Sequence, residues 1–215
     1  MSNTPHANQP VLHAGAPLAT AAGVILLLHG RGASAQDILG LGSALVSKDW
    51  ALLAPQAAGH TWYPNSFLAP RAQNEPYLSS ALDKVTSIVD ETIAAGVPPE
   101  RLVIAGFSQG ACLSSEFVGR NPRRYGALLA FTGGLIGPPG EPITLSGDLA
   151  GTPVLLSSGD PDPHVPWARV EQTAELLTRI GGVVTVNRYP GRPHTILDVE
   201  VAAAKQLLST IDPTL

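Results

Sequence analysis

The chain has 215 residues, 44% of them hydrophobic and 14% charged, with 13 Lys and Arg against 17 Asp and Glu for a formal net charge of −4. Such a sparse, slightly acidic charge offers nothing to a nucleic-acid backbone, no Lys/Arg cluster marks a membrane surface, and no apolar run is long enough to span a bilayer. The lone Cys112 has no partner for an intrachain disulfide, which fits a cytoplasmic protein, and the hydrophobic fraction suffices for one sizeable core.

Residues 1–10 are polar and Pro-containing, with neither a basic start nor an apolar core, so they read as a flexible lead-in rather than a signal peptide. A single domain is expected over 11–215. Residues 11–13 and Val24–Leu28 read as neighbouring strands, an antiparallel hairpin at the sheet edge. Ser34 is placed to cap a helix whose apolar face is Ile38, Leu39, Leu41, Leu45 and Val46. A strand over 51–55 precedes an irregular stretch over 56–76, and a helix over 77–95 stops at Gly96. A strand over 101–107 runs into a helix ending near Asn121 and Pro122, and the next strand covers 126–131. A Gly- and Pro-rich loop over 135–151 leads to a strand over 153–158, a helix over 167–180, a strand over 183–189, and a last helix that Thr195 would cap, running to about 210. The alternation predicts an α/β fold, with a mostly parallel central sheet covered by helices on both faces and no room for a large cap.

One motif carries chemistry. Gly106-Phe107-Ser108-Gln109-Gly110 follows directly on the apolar strand Leu102-Val103-Ile104-Ala105, the setting of a nucleophile elbow. A strand that turns tightly into a helix holds its serine in a strained conformation with Oγ exposed above the sheet. A nucleophilic serine needs a base and an orienting acid, which in this arrangement follow in the order Ser, Asp, His. The loop after residue 158 offers two carboxylates, Asp160 and Asp162, and the loop after the following strand offers His194. All these candidates lie just past strand C-termini, where open α/β sheets place their sites. Two backbone N–H groups would hold an oxyanion, one from Gln109 and one from Arg31 in the glycine-flanked turn His29-Gly30-Arg31-Gly32. His29, at the end of a buried strand, reads as a brace for that turn.

For substrate contacts, Trp62 and Tyr63 lie on a loop past a strand C-terminus, and Leu135 and Val165 are further candidates for the pocket wall. Cys112 falls one helical turn after Ser108, where a small core residue is expected. The six histidines show no metal-ligand spacing, so no metal is expected.

The segments Leu28-His29-Gly30-Arg31-Gly32, Gly106-Phe107-Ser108-Gln109-Gly110-Ala111, Asp162-Pro163-His164-Val165-Pro166 and Pro193-His194 together resemble the phospholipase/carboxylesterase family of α/β-hydrolases, which includes bacterial carboxylesterases and acyl-protein thioesterases. The resemblance runs from about Val11 to the C-terminus. It implies an α/β-hydrolase fold, Ser108 as nucleophile, His194 as general base and acid, and Asp162 rather than Asp160 as the orienting carboxylate. It also implies a small-molecule ester substrate, no cofactor, no membrane anchor and a homodimer. A serine carboxylesterase on short-chain esters is the leading reading, a thioesterase or lysophospholipase its neighbour, and a ligand-binding protein that has kept the pocket without the chemistry its rival. Activity is expected to fall on acidification, because the base must be neutral to accept a proton. Many family members carry Leu where this chain has Arg31, and a guanidinium at the pocket mouth would favour acidic or polar esters.

Overall fold

The computed structural model describes residues 4–212. Among them seven strands form one sheet: β1 (Val11–Gly15), β2 (Val24–Leu28), β3 (Ala51–Pro55), β4 (Leu102–Phe107), β5 (Ala127–Phe131), β6 (Pro153–Asp160) and β7 (Val183–Pro190), in the order β1-β3-β2-β4-β5-β6-β7. Only β1 runs antiparallel to its neighbour.

The expected hairpin between the first two strands does not form. β1 pairs with β3, and β2 lies between β3 and β4. The reason is in the composition of β2, whose five residues are all buried. A strand apolar on both faces belongs inside a sheet, where helices cover both sides, whereas the half-exposed β1 suits an edge.

Side chains alternate along each strand, so one strand feeds two cores. Val24, Leu26 and Leu28 join one cluster, together with Leu78, Val85, Phe117 and Val170 from α2 (Tyr77–Ala94), α3 (Gln109–Arg120) and α4 (Trp167–Arg179). Ile25 and Leu27 face the other, against Ile38, Leu45, Ala204 and Leu208 from α1 (Ala35–Leu45) and α5 (Asp198–Leu208). A parallel sheet with helices on both faces and no large cap among the described residues is the α/β-hydrolase arrangement.

Local signals set most helix ends. At α1, Ser34 Oγ accepts from the Asp37 N–H while the Asp37 carboxylate accepts from the Ser34 N–H at 2.8 Å, a reciprocal cap that contributes about 1 kcal/mol. The last helix departs from expectation. It begins at Asp198, not after Thr195, and the carboxylate of Glu200 accepts the Leu197 N–H at 3.0 Å. A buried acid three residues in has taken the capping role assigned to Thr195.

Of residues 1–10, those from 4 onward are described. His6 is fully buried against the body, its Nδ1 accepting from the Ala58 N–H at 3.0 Å and its Nε2 donating to the Trp62 carbonyl at 2.9 Å. Nothing in the local sequence signals that anchor.

Candidate active site

The C-terminal ends of the parallel strands meet along one edge, and the site is assembled there from loops. Ser108 sits between β4 and α3 with φ 54 and ψ −116, a conformation that costs a non-glycine residue on the order of 1–3 kcal/mol. The flanking glycines make it possible. A Cβ on Gly110 would lie 2.0 Å from the Leu28 carbonyl oxygen, and one on Gly106 would lie 2.4 Å from the Gly110 backbone. The Ser108 N–H donates to the Phe131 carbonyl at 2.9 Å and ties the turn to β5.

His194 Nε2 lies 2.9 Å from Ser108 Oγ, and His194 Nδ1 lies 2.8 Å from Asp162 Oδ2. A carboxylate on Nδ1 requires a proton there, which leaves Nε2 free to accept from the serine hydroxyl. The Asp162 side chain is fully buried, and its other oxygen accepts the N–H groups of His164 and Val165 at 2.9 and 3.0 Å. Burial works to raise the pKa of this carboxyl, but the hydrogen bonds from His194, His164 and Val165 outweigh it and hold the group below its ordinary 3.8. Asp160 points elsewhere and pairs with Arg188, whose guanidinium lies 5.1 Å from the Trp167 ring. The imidazole of His194 is flanked by the Phe107 ring and, nearly perpendicular to it, the His164 ring, with centroids 5.1 and 4.9 Å away.

Across the site, the turn from His29 to Gly32 is braced from within. His29 is fully buried; its Nδ1 donates to the Gly30 carbonyl at 2.7 Å and its Nε2 accepts from the Ala57 N–H at 3.1 Å. Burial keeps this imidazole neutral by lowering its pKa. The N–H groups of Arg31 and Gln109 have no acceptor among the described residues, leaving both available to an oxyanion.

The side chains of the same two residues hold the pocket loop. Gln109 accepts from the Trp62 N–H at 2.9 Å and donates to the Tyr63 carbonyl at 2.8 Å. Arg31 donates to Thr61 Oγ1 and to the Pro64 and Asn65 carbonyls at 3.0, 2.9 and 2.7 Å. The guanidinium expected to choose acidic substrates is therefore engaged with neutral carbonyls, and its first effect is to fix the loop.

A cavity of about 510 Å³ opens on Ser108 and His194, walled by Tyr63, Asn65, Ser66, Phe67, Cys112 and Val165. Tyr63 and Val165 thus reach the place the sequence suggested. Trp62 and Leu135 do not. Trp62 is fully buried, its indole N–H donates to the His29 carbonyl at 2.9 Å, and its ring lies against His29 and His6. The chain bends through residues 62–65, and it is Tyr63, not Trp62, that lines the cavity. Leu135 is drawn away because the chain passes close under the elbow helix at Gly133, where a Cβ would lie 2.5 Å from Ala111 Cβ. Its N–H then donates to Thr173 on α4 and its carbonyl accepts from Arg169.

Sequence reasoning missed Asn65, Ser66 and Phe67, which lie in a stretch without periodicity. The Cys112 thiol is pushed up to about 12 by burial, so it stays protonated and is no rival to Ser108. Among the described residues no group of three His, Cys, Asp or Glu is placed to hold a metal ion.

A sequence model of the phospholipase/carboxylesterase family matches residues 13–212. Among solved structures, a phospholipase/carboxylesterase from Dyadobacter fermentans is 43% identical over 94% of this chain and 96% of its own, with a TM-score of 0.89. A probable carboxylesterase of Oryza sativa subsp. japonica is 30% identical over 60% of this chain and 48% of its own length. An acyl-protein thioesterase 1 of Gibberella zeae is 30% identical over 56% of this chain and 54% of its own. The chain thus spans about half the length of these curated relatives.

Proposed function

Because the chain belongs to the phospholipase/carboxylesterase family, we propose that it hydrolyses small-molecule carboxylic esters through an acyl-enzyme on Ser108. The observation that carries this reading is the continuous link Ser108–His194–Asp162, at 2.9 and 2.8 Å, at the mouth of the cavity. The name and 43% identity of the Dyadobacter fermentans relative support it.

His194 takes the Ser108 proton as the oxygen attacks the ester carbonyl, and Asp162 holds the resulting imidazolium. The Arg31 and Gln109 N–H groups bind the oxyanion, His194 protonates the departing alcohol, and a water activated by the same imidazole then cleaves the acyl-serine. Every proton passes through one imidazole, so no step calls for a metal or organic cofactor. The acyl group lies against Tyr63 and Val165 in the cavity beside Ser108. The reading takes residues 11–215 as one catalytic domain working in the cytoplasm, where the buried, unpaired Cys112 is at home. No helix of the described residues is long and apolar enough to cross a membrane.

A thioester is the second reading, supported by the thioesterase name of the Gibberella zeae relative. The same groups serve either leaving atom.

The test is intact-protein mass spectrometry after fluorophosphonate treatment of wild type and Ser108→Ala, with p-nitrophenyl esters of increasing chain length and a matched thioester alongside. A single adduct lost in Ser108→Ala, with turnover fastest on short oxygen esters, supports the esterase. Faster thioester cleavage selects the second reading. No adduct and no turnover in folded protein makes the chain a binding protein.

A further inference from the structure

His194 depends on a loop that no strand or helix contains, yet its imidazole must stay within a few tenths of an ångström of two partners. One buried side chain spans that loop on both sides of His194. The guanidinium of Arg192, 1% exposed, turns inward under the C-terminal edge of the sheet, and its Nη1 donates to the carbonyls of both Pro193 and Thr195, the residues on either side of His194.

The rest of the guanidinium faces the residue that follows β5 and a carboxylate on α5, the latter as an ion pair. Arg192 Nη2 donates to Thr132 Oγ1, and Nε lies 3.2 Å from the carboxylate of Glu200, itself fully buried and accepting from Ser157 Oγ and the Leu197 N–H. Thr132 has φ +59, rare for a β-branched residue, and its N–H donates to the Ser157 carbonyl at 2.6 Å. It immediately follows Phe131, whose carbonyl accepts the Ser108 N–H. The loop is also seated closely on β6, since a Cβ on Gly159 would lie 2.9 Å from the Arg192 carbonyl oxygen.

We infer that Arg192, charge-balanced by Glu200, is a positioning residue that holds the backbone on both sides of His194 and so sets its imidazole against Ser108. The inference rests on reading Ser108, His194 and Asp162 as a catalytic triad. Arg192 touches no reacting atom. A planar fork can reach two loop carbonyls, a threonine and a carboxylate at once, whereas lysine would keep the charge but offers a single point of attachment.

The experiment compares Arg192→Lys, Arg192→Ala and Glu200→Gln with wild type by ester kinetics, melting temperature and the low-field proton NMR signal of the His194 Nδ1–H on Asp162. Arg192→Lys is expected to lower kcat about 10- to 100-fold with KM nearly unchanged, and to broaden or shift that signal while the protein stays folded. Arg192→Ala is expected to lose more, and Glu200→Gln to fall between Arg192→Lys and wild type. Wild-type kcat and an unaltered signal in folded Arg192→Lys would overturn the inference. So would unfolding of all three variants, which would make the pair a plain stability element. Turnover surviving in Ser108→Ala would remove the triad reading itself, an outcome distinct from an inactive Ser108→Ala beside a fully active Arg192→Lys.

Discussion

His194 Nε2 lies 2.9 Å from Ser108 Oγ although 86 residues separate the two in the chain. Their strands are not neighbours either, because β5 and β6 stand between β4 and β7. At about 4.8 Å per strand the loop after β7 must reach back roughly 14 Å across the sheet edge. Arg192 follows the same path, bonding to Thr132 at the end of β5.

Replacing Asp162 and Asp160 in turn separates their roles. Asp162→Asn removes the charge that holds the Nδ1 proton and is expected to lower kcat about 10³- to 10⁴-fold. Asp160→Asn breaks a partly exposed pair with Arg188 and is expected to change kcat by less than about threefold. Steady-state kinetics on one ester checks both, and equal losses would withdraw Asp162 from the proposed triad.

Acid is expected to weaken the fold through His6 and His29. Burial lowers the pKa of each from the ordinary 6.5, and each already has a backbone N–H pointing at one ring nitrogen. With the folded value below the unfolded one, the unfolded chain binds the proton first, so stability present above 6.5 is lost progressively as pH falls below it. The loss is at most about 1.4 kcal/mol per pH unit for each histidine. Urea unfolding between pH 7.5 and 5.5 checks this, and His6→Asn is expected to flatten the slope. Asp162, held below 3.8, stays ionised over that range, so it adds nothing to the slope.

Arg31→Leu tests what the guanidinium does. Three hydrogen bonds to the pocket loop are lost, so kcat/KM is expected to fall about 10-fold on neutral and acidic esters alike. A p-nitrophenyl acetate and hemisuccinate pair measures it. A loss confined to the acidic ester would mean that the side chain acts as a charge on the substrate.

At the elbow, Gly110→Ala places a Cβ against backbone that cannot move aside, with the Leu28 oxygen at 2.0 Å. A destabilisation of about 3 kcal/mol or more is expected, near 6–12 °C in Tm. Differential scanning calorimetry reads it directly.

Trp62→Phe deletes the bond to the His29 carbonyl while leaving a ring in the core. Stability is expected to fall by about 1–3 kcal/mol with chain-length preference unchanged, whereas Tyr63→Ala, on the cavity wall, is expected to alter that preference. Parallel unfolding curves and ester series discriminate the two.

What the sequence determined by itself was local. Strand and helix periods, the Ser34 cap and the glycines around Ser108 are written in neighbouring residues, because each answers to the backbone within a turn or two. The order Ser108, Asp162, His194, past the ends of β4, β6 and β7, was likewise legible, since parallel strands with right-handed crossovers deliver their C-terminal loops to one edge. Only the tertiary structure decided that β1 pairs with β3, that Glu200 caps α5, and that Tyr63 faces the cavity while Trp62 and Leu135 are buried away from it. It alone showed the Arg31 and Gln109 side chains on the pocket loop and Arg192 on both carbonyls beside His194. These choices depend on which distant groups meet a given side chain, and close packing of the whole molecule sets such meetings where no local pattern records them.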